Sequence, residues 1–189
     1  SLAVLKTLEG DDIQETTIKV KLAPESTLVD VHNAFAAAIE ENRKPTASNL
    51  TDKVAMLLLG TPGLATLIVA LARFLDNHGI LPHVILEASP FHTSMFITNM
   101  ASIGMPSVYH HIYNFGTTSI FVGMGRIERH VEPGPSGTMR FRRMIPLGVV
   151  IDERIACGAQ YGRAFSYLRE LLANPELLMA PPEVVKTEI

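Results

Sequence analysis

Three groups of residues in this 189-residue chain have reactive chemistry. Asp152-Glu153-Arg154 sets three charges in a row behind the uncharged run Leu147–Ile151. A carboxylate placed there can take a proton as a general base. Cys157 follows at the mouth of a helical pattern that opens with Gly158 and Ala159. At a helix N-terminus the dipole favours thiolate, and the thiol could act as a nucleophile. The plainer reading is an inert cysteine in apolar surroundings. His110-His111 stand between Tyr109 and Tyr113 and could supply a general base; packing or hydrogen bonding at a subunit interface is the plainer alternative. His92, His110 and His111 have no metal-site spacing and no cysteine pair beside them, so no metal site is expected.

These groups need a frame. Leu147–Ile151 is rich in Val and Ile and predicts a buried strand that delivers the charges to a helix. From Gly158, Tyr161, Phe165, Leu168 and Leu172 share one helical face, and Asn174-Pro175 stops the helix. Residues 94–98 and 118–124 predict further strands. Glu132 to Gly137 predicts a hairpin-like loop, and residues 139–145 lead from it into the strand before Asp152.

The first third reads as strand, turn, strand and helix. Residues 2–8 and 17–22 predict strands, the second from Ile18, Val20 and Leu22 alternating with Lys19 and Lys21. Gly10-Asp11-Asp12 predicts the turn. Thr27 with Asp30 predicts a capped helix start, Leu28, Val31, Phe35 and Ile39 its core face, and Lys44-Pro45 its end. His32 beside that face reads as an ordinary surface or packing residue. Residues 54–72 carry no charge and raise the question of a membrane span or a membrane-surface lipid contact. Gly60-Thr61-Pro62-Gly63 interrupts them, so two short helices are expected instead, with no stable membrane insertion. Residues 80–90 read as a connection.

Composition describes a folded chain, 47% hydrophobic and 19% charged. A net charge of −3 gives no support for nucleic-acid binding. One cysteine excludes an internal disulfide framework and fits a reducing, cytoplasmic compartment. No basic start followed by a long apolar run opens the chain, so no signal peptide is expected. One domain over residues 1–180 with a tail at 181–189 is expected.

The reactive stretch also carries a resemblance. Residues 146–159, PLGVVIDERIACGA, resemble the signature P-L-S-L-S-Y-D-H-R-V-x-D-G-A of the acyltransferase core of 2-oxo acid dehydrogenase complexes, relatives of chloramphenicol acetyltransferase. Pro146, Leu147, Asp152, Arg154, Gly158 and Ala159 match. Glu153 stands at the position of the family's catalytic His, and Cys157 at that of its Asp or Asn. Phe96-Ile97-Thr98-Asn99-Met100 with Gly104 resembles the block T-I-S-N-L-G. Residues 116–125 resemble the strand after it, Arg126-Ile127-Glu128 the G-x-I-E continuation, and Asn174 to Leu178 the closing N-P-E-x-L-L. The likeness covers residues 94–179, with a weaker echo over 2–40.

The resemblance implies an α/β (α+β) fold. This is the chloramphenicol acetyltransferase-like two-layer sandwich, a mixed sheet with helices on one face, here lacking the N-terminal part. It implies a homotrimer with sites between subunits and coenzyme A or an acyl-CoA as substrate, with no covalently bound cofactor. The donor would be an acyl-CoA or an acyl carrier, and the acceptor is open. Thr98 takes the place of the oxyanion-stabilising hydroxyl, Asn99 and Gly158 fall at binding positions, and Asp152 with Arg154 at a structural ion pair. The family's lipoyl and peripheral-subunit-binding modules have no counterpart, so membership of such a complex is not expected. Glutamate, with an ordinary pKa of about 4.3 against about 6.5 for histidine, is the weaker base toward a thiol. Two functions follow. One is a CoA-dependent acyltransferase, with Glu153, Cys157, His110 and His111 as candidates beside Thr98. The other is a catalytically inactive trimeric scaffold or binding module on the same fold.

Overall fold

A computed structural model describes residues 1–7, 13–43 and 62–185. Its sheet is built where the apolar runs fall. β1 (Leu2–Thr7), β2 (Ile13–Ile18), β3 (Met95–Asn99), β4 (Ile120–Met124) and a last strand, Leu147–Ile151, form one sheet. That last strand is β7, since β5 (Glu128–Pro133) and β6 (Met139–Met144) intervene as a separate hairpin. The order is β2-β1-β3-β4-β7, with β2 and β7 at the edges. β1 with β3 and β3 with β4 are parallel, while β1–β2 and β4–β7 are antiparallel. The chain therefore has the expected mixed sheet flanked by helices.

Phe96 and Phe121 face each other in register and stack with ring centroids 5.0 Å apart. They are buried with Val4, Ile18 and Tyr161. α1 (Leu28–Arg43) packs on β1 and β2. Its start is held as the sequence predicts: the Thr27 amide donates to Asp30 Oδ2 at 2.9 Å, and the Asp30 amide to Thr27 Oγ1 at 3.3 Å. Val31, Phe35 and Ile39 are half-buried against the sheet, whereas Leu28 is exposed.

α2 (Pro62–Asn77) begins on the proline that interrupts the apolar segment, where a missing amide costs nothing. Among the described residues no helix is long and apolar enough to cross a membrane. The expected helix before Gly60 lies outside the described residues. So do the Gly10-Asp11-Asp12 turn, the Lys44-Pro45 stop and residues 186–189 of the tail.

Several expectations need correction. The second strand runs over Ile13–Ile18, not 17–22, because Ile18 already pairs with Leu2 and the pairing with β1 ends there. The Lys19/Lys21 alternation serves another contact. Lys19 Nζ donates to the carbonyls of Leu86 and Ser89, and Lys21 pairs with Glu87. Residues 80–90 are not a plain connection: they hold α3 (His83–Ala88), which those lysines anchor. Residues 139–145 do not simply lead into β7, since β6 pairs with β5 through a turn containing Ser136 and Gly137 at positive φ. Finally, α4 (Gly158–Ala173) buries only Tyr161 of its apolar face. Phe165, Leu168 and Leu172 are exposed in the single chain.

Candidate functional site

Glycines lay the floor of the site. Thr98, Gly123 and Gly148 are in register on neighbouring strands, so they share one sheet face with Phe96 and Phe121. A Cβ on Gly123 would come within 2.6 Å of the Val108 carbonyl oxygen, and one on Gly148 closer still. Gly125 meets the Ser107 amide in the same way. The segment Pro106 to Val108 thus lies flat across β4 and β7, held at its start by the Arg126 amide donating to Met105 O at 2.9 Å. It carries His110 onto Phe121, ring on ring, with centroids 4.4 Å apart. His111 stacks on the far side of His110 at 4.7 Å.

The result is a cleft of about 390 Å³, within the range of small-molecule sites. Thr98, Asn99, His110 and Tyr113 line it, with Glu15 and Thr17 from β2. The Thr98 hydroxyl donates to the Met100 sulfur at 3.7 Å. A thioether is a weak acceptor, so this donor is free to turn to a stronger one. His110 Nδ1 lies 2.8 Å from the His111 carbonyl oxygen. A carbonyl only accepts, so Nδ1 carries the hydrogen and the neutral ring keeps its lone pair on Nε2.

The β7–α4 turn is a second cluster. Arg154 grips Asp152 with both forks, Nε to Oδ1 at 2.8 Å and Nη2 to Oδ2 at 2.6 Å. These bonds outweigh partial burial and hold the Asp152 carboxyl below its ordinary range. The Tyr161 hydroxyl donates to the Asp152 carbonyl at 3.0 Å. Cys157 is exposed and caps α4: its amide donates to Gln160 Oε1 at 3.0 Å, and its sulfur accepts from the Gln160 amide. Glu153 is exposed, with Oε1 3.1 Å from where a Cβ on Gly158 would lie.

The two clusters are separate within one chain. Asp152 lies four residues along β7 from Gly148 and two strands across from Thr98, roughly 16 Å away by strand geometry. The structure therefore brings Thr98, Asn99 and His110 together. It leaves Asp152, Glu153, Arg154, Cys157 and Gly158 outside that cleft, and His111 behind His110.

A buried relay went unread in the sequence. His92 Nε2 lies 2.9 Å from Asp76 Oδ1 and its Nδ1 2.7 Å from Ser89 Oγ, while the Gly116 amide donates to Asp76 Oδ2 at 3.0 Å. Burial pushes the Asp76 carboxyl up, but the bonds from His92 and Gly116 prevail and hold it below its ordinary range. Sixteen residues separate Asp76 from His92, and no spacing rule announces the pair. Among the described residues no group of three or more His, Cys, Asp or Glu could hold a metal ion. A larger cavity of about 520 Å³ is lined by Lys19, Lys21, His83, Glu87 and His92 and by none of the predicted site residues. Its charged groups are spent on carbonyls and on each other.

Residues 87–180 match the family described as 2-oxoacid dehydrogenases acyltransferase (catalytic domain). This segment belongs to that family. A 90-residue stretch is 34% identical to the dihydrolipoyllysine-residue acetyltransferase component of the pyruvate dehydrogenase complex of Acholeplasma laidlawii. The match takes in 44% of this chain and 15% of that protein. A probable dihydrolipoamide acetyltransferase from Listeria monocytogenes superposes with a TM-score of 0.47 at 15% identity, over 98% of this chain and 59% of that one. The dihydrolipoamide acetyltransferase of Azotobacter vinelandii gives 0.43 at 16%, over 94% and 55%. The cleft and the β7–α4 turn both fall inside the acyltransferase-family segment, apart from Ala3, Leu5, Glu15 and Thr17.

Proposed function

We propose that this chain transfers an acyl group from a thioester, acyl-CoA or acyl carrier, to a thiol or hydroxyl acceptor. The observation that carries the reading is Thr98. Within a segment of acyltransferase family, its hydroxyl lines a cleft of about 390 Å³ and, among the described residues, is engaged only by a thioether sulfur. A thioester carbonyl bound with its oxygen toward Thr98 Oγ1 gains a donor as the tetrahedral oxyanion forms. Asn99 beside it offers a second polar group to the donor. The setting is a reducing, cytoplasmic one, in keeping with one exposed free cysteine.

A homotrimer is part of the reading. Asp152, next to Glu153, is roughly 16 Å from Thr98 within the chain by strand geometry, which supports a site in which the two approach one another between copies. The exposed faces of α4 and of the β5–β6 hairpin supply apolar surface for that contact. Calorimetry with CoA, acetyl-CoA and a long-chain acyl-CoA, run beside sedimentation, tests the donor site and the assembly together. Thr98→Ala should slow transfer by about 10²–10³-fold, as loss of one oxyanion donor does. Full activity in that variant removes the hydroxyl from the mechanism.

The second reading is a trimeric scaffold without catalysis. It is favoured by the β7–α4 turn, where Asp152 is held by Arg154 and Cys157 serves as a helix cap. Glu153→His separates the two: a gain in transfer speaks for an enzyme, and no CoA binding by either form for a scaffold.

A further inference from the structure

We propose that His110 is the general base of the Thr98 cleft. It would take the acceptor's proton on Nε2, in place of the histidine that Glu153 displaces. The inference rests on the acyl-transfer reading and names a residue within it.

Three observations converge. The tautomer is fixed, because Nδ1 donates to the His111 carbonyl at 2.8 Å and leaves Nε2 as the acceptor. The ring is held in place between Phe121 and His111, at 4.4 and 4.7 Å and nearly parallel to both. The location also suits the chemistry. Phe121, under the ring, pairs with Phe96, and Thr98 is two residues further along β3 on the same sheet face, so His110 and Thr98 line one cleft.

The step balances without a co-reactant. Nε2 accepts the proton of the acceptor thiol or hydroxyl as its sulfur or oxygen bonds to the thioester carbonyl carbon. The carbonyl electron pair moves to oxygen, facing the Thr98 hydroxyl. The pair returns, the carbon–sulfur bond of the donor breaks, and the departing thiolate takes the proton back from Nε2. Glu15 on β2, Tyr113 and His111 are the titratable groups facing His110.

The test uses the full chain, acetyl-CoA as donor and dihydrolipoamide as acceptor. His110→Gln should lower kcat by about 10²–10⁴-fold, with acetyl-CoA binding by calorimetry unchanged and the acidic limb of the pH profile lost. Imidazole added to His110→Ala should restore part of the rate. Wild-type transfer that survives in His110→Gln overturns the role of His110 and leaves the acyltransferase reading standing. Absence of both transfer and acetyl-CoA binding in the wild-type chain overturns that reading and the inference with it. Binding without transfer in the wild-type chain overturns both the acyl-transfer reading and the role of His110. A ¹⁵N spectrum with the hydrogen on Nε2 of neutral His110 overturns the inference independently of any turnover.

Discussion

Replacing Gly123 by alanine tests how the site is floored. The new Cβ would stand 2.6 Å from the Val108 carbonyl oxygen, 0.8 Å short of the 3.4 Å where ordinary contact begins. Neither side yields easily. β4 is paired on both flanks, and Val108 also rests over Gly148. The segment must lift, at the cost of about 1–3 kcal/mol typical of overpacking. For a chain of this length that is roughly 2–12 °C in Tm, at about 2–4 °C per kcal/mol. The lift also carries His110 off Phe121, so acyl transfer should fall while Thr98 is untouched. Gly162→Ala is the control: it sits within α4 with nothing inside 4 Å of its Cβ, and should gain about 0.5–1 kcal/mol. Differential scanning calorimetry of the three proteins gives the comparison. If Gly123→Ala melts within experimental error of wild type, the 106–108 segment does not lie on β4 and the site as described is wrong.

Two further predictions concern stability. Asp76→Asn should cost about 1.5–3 kcal/mol by weakening charge-assisted bonds to His92 and Gly116, read as a lower urea midpoint. The Asp76 carboxyl is depressed on folding, so its stabilisation is present above the ordinary aspartate value of about 3.9 and is lost as pH falls through the lower folded value. The urea midpoint of Asp76→Asn should therefore decline less steeply in that acid range than that of the wild type. Tyr161→Phe should cost about 1 kcal/mol, since it strips the donor from the Asp152 carbonyl, and thermal melting would show it.

What the sequence conveyed depended on how local each signal was. Leu147–Ile151 could be read because an uncharged Val/Ile run has few other uses, and Thr27 with Asp30 because a capping box spans three residues. The second strand was misplaced because Ile18, Val20 and Leu22 alternate as a strand does, while the neighbour that pairs with β2 ends at Leu2. Lys19 and Lys21 owed their spacing to α3, a contact nearly 70 residues away. The site divided likewise. Thr98, Asn99 and His110 were candidates by motif or type, but their meeting depends on glycines on β4, just after it and on β7 letting one segment lie flat. Asp76, Ser89, His92 and Gly116 join from separate stretches and left no pattern to find.

β7 has one flank without a partner among the described residues. A row of unpaired amides and carbonyls on a short strand of Leu, Gly, Val, Val and Ile is a template for stacking further strands. Its ends hold that tendency in check. Pro146, with no amide hydrogen, precedes it, and Asp152-Glu153-Arg154 follows, placing like charges beside like in any stacked, in-register copy. The charged triplet thus acts as a gatekeeper against aggregation. Glu153→His removes one negative charge from that guard, so the variant that probes chemistry should also precipitate at lower protein concentration than its parent.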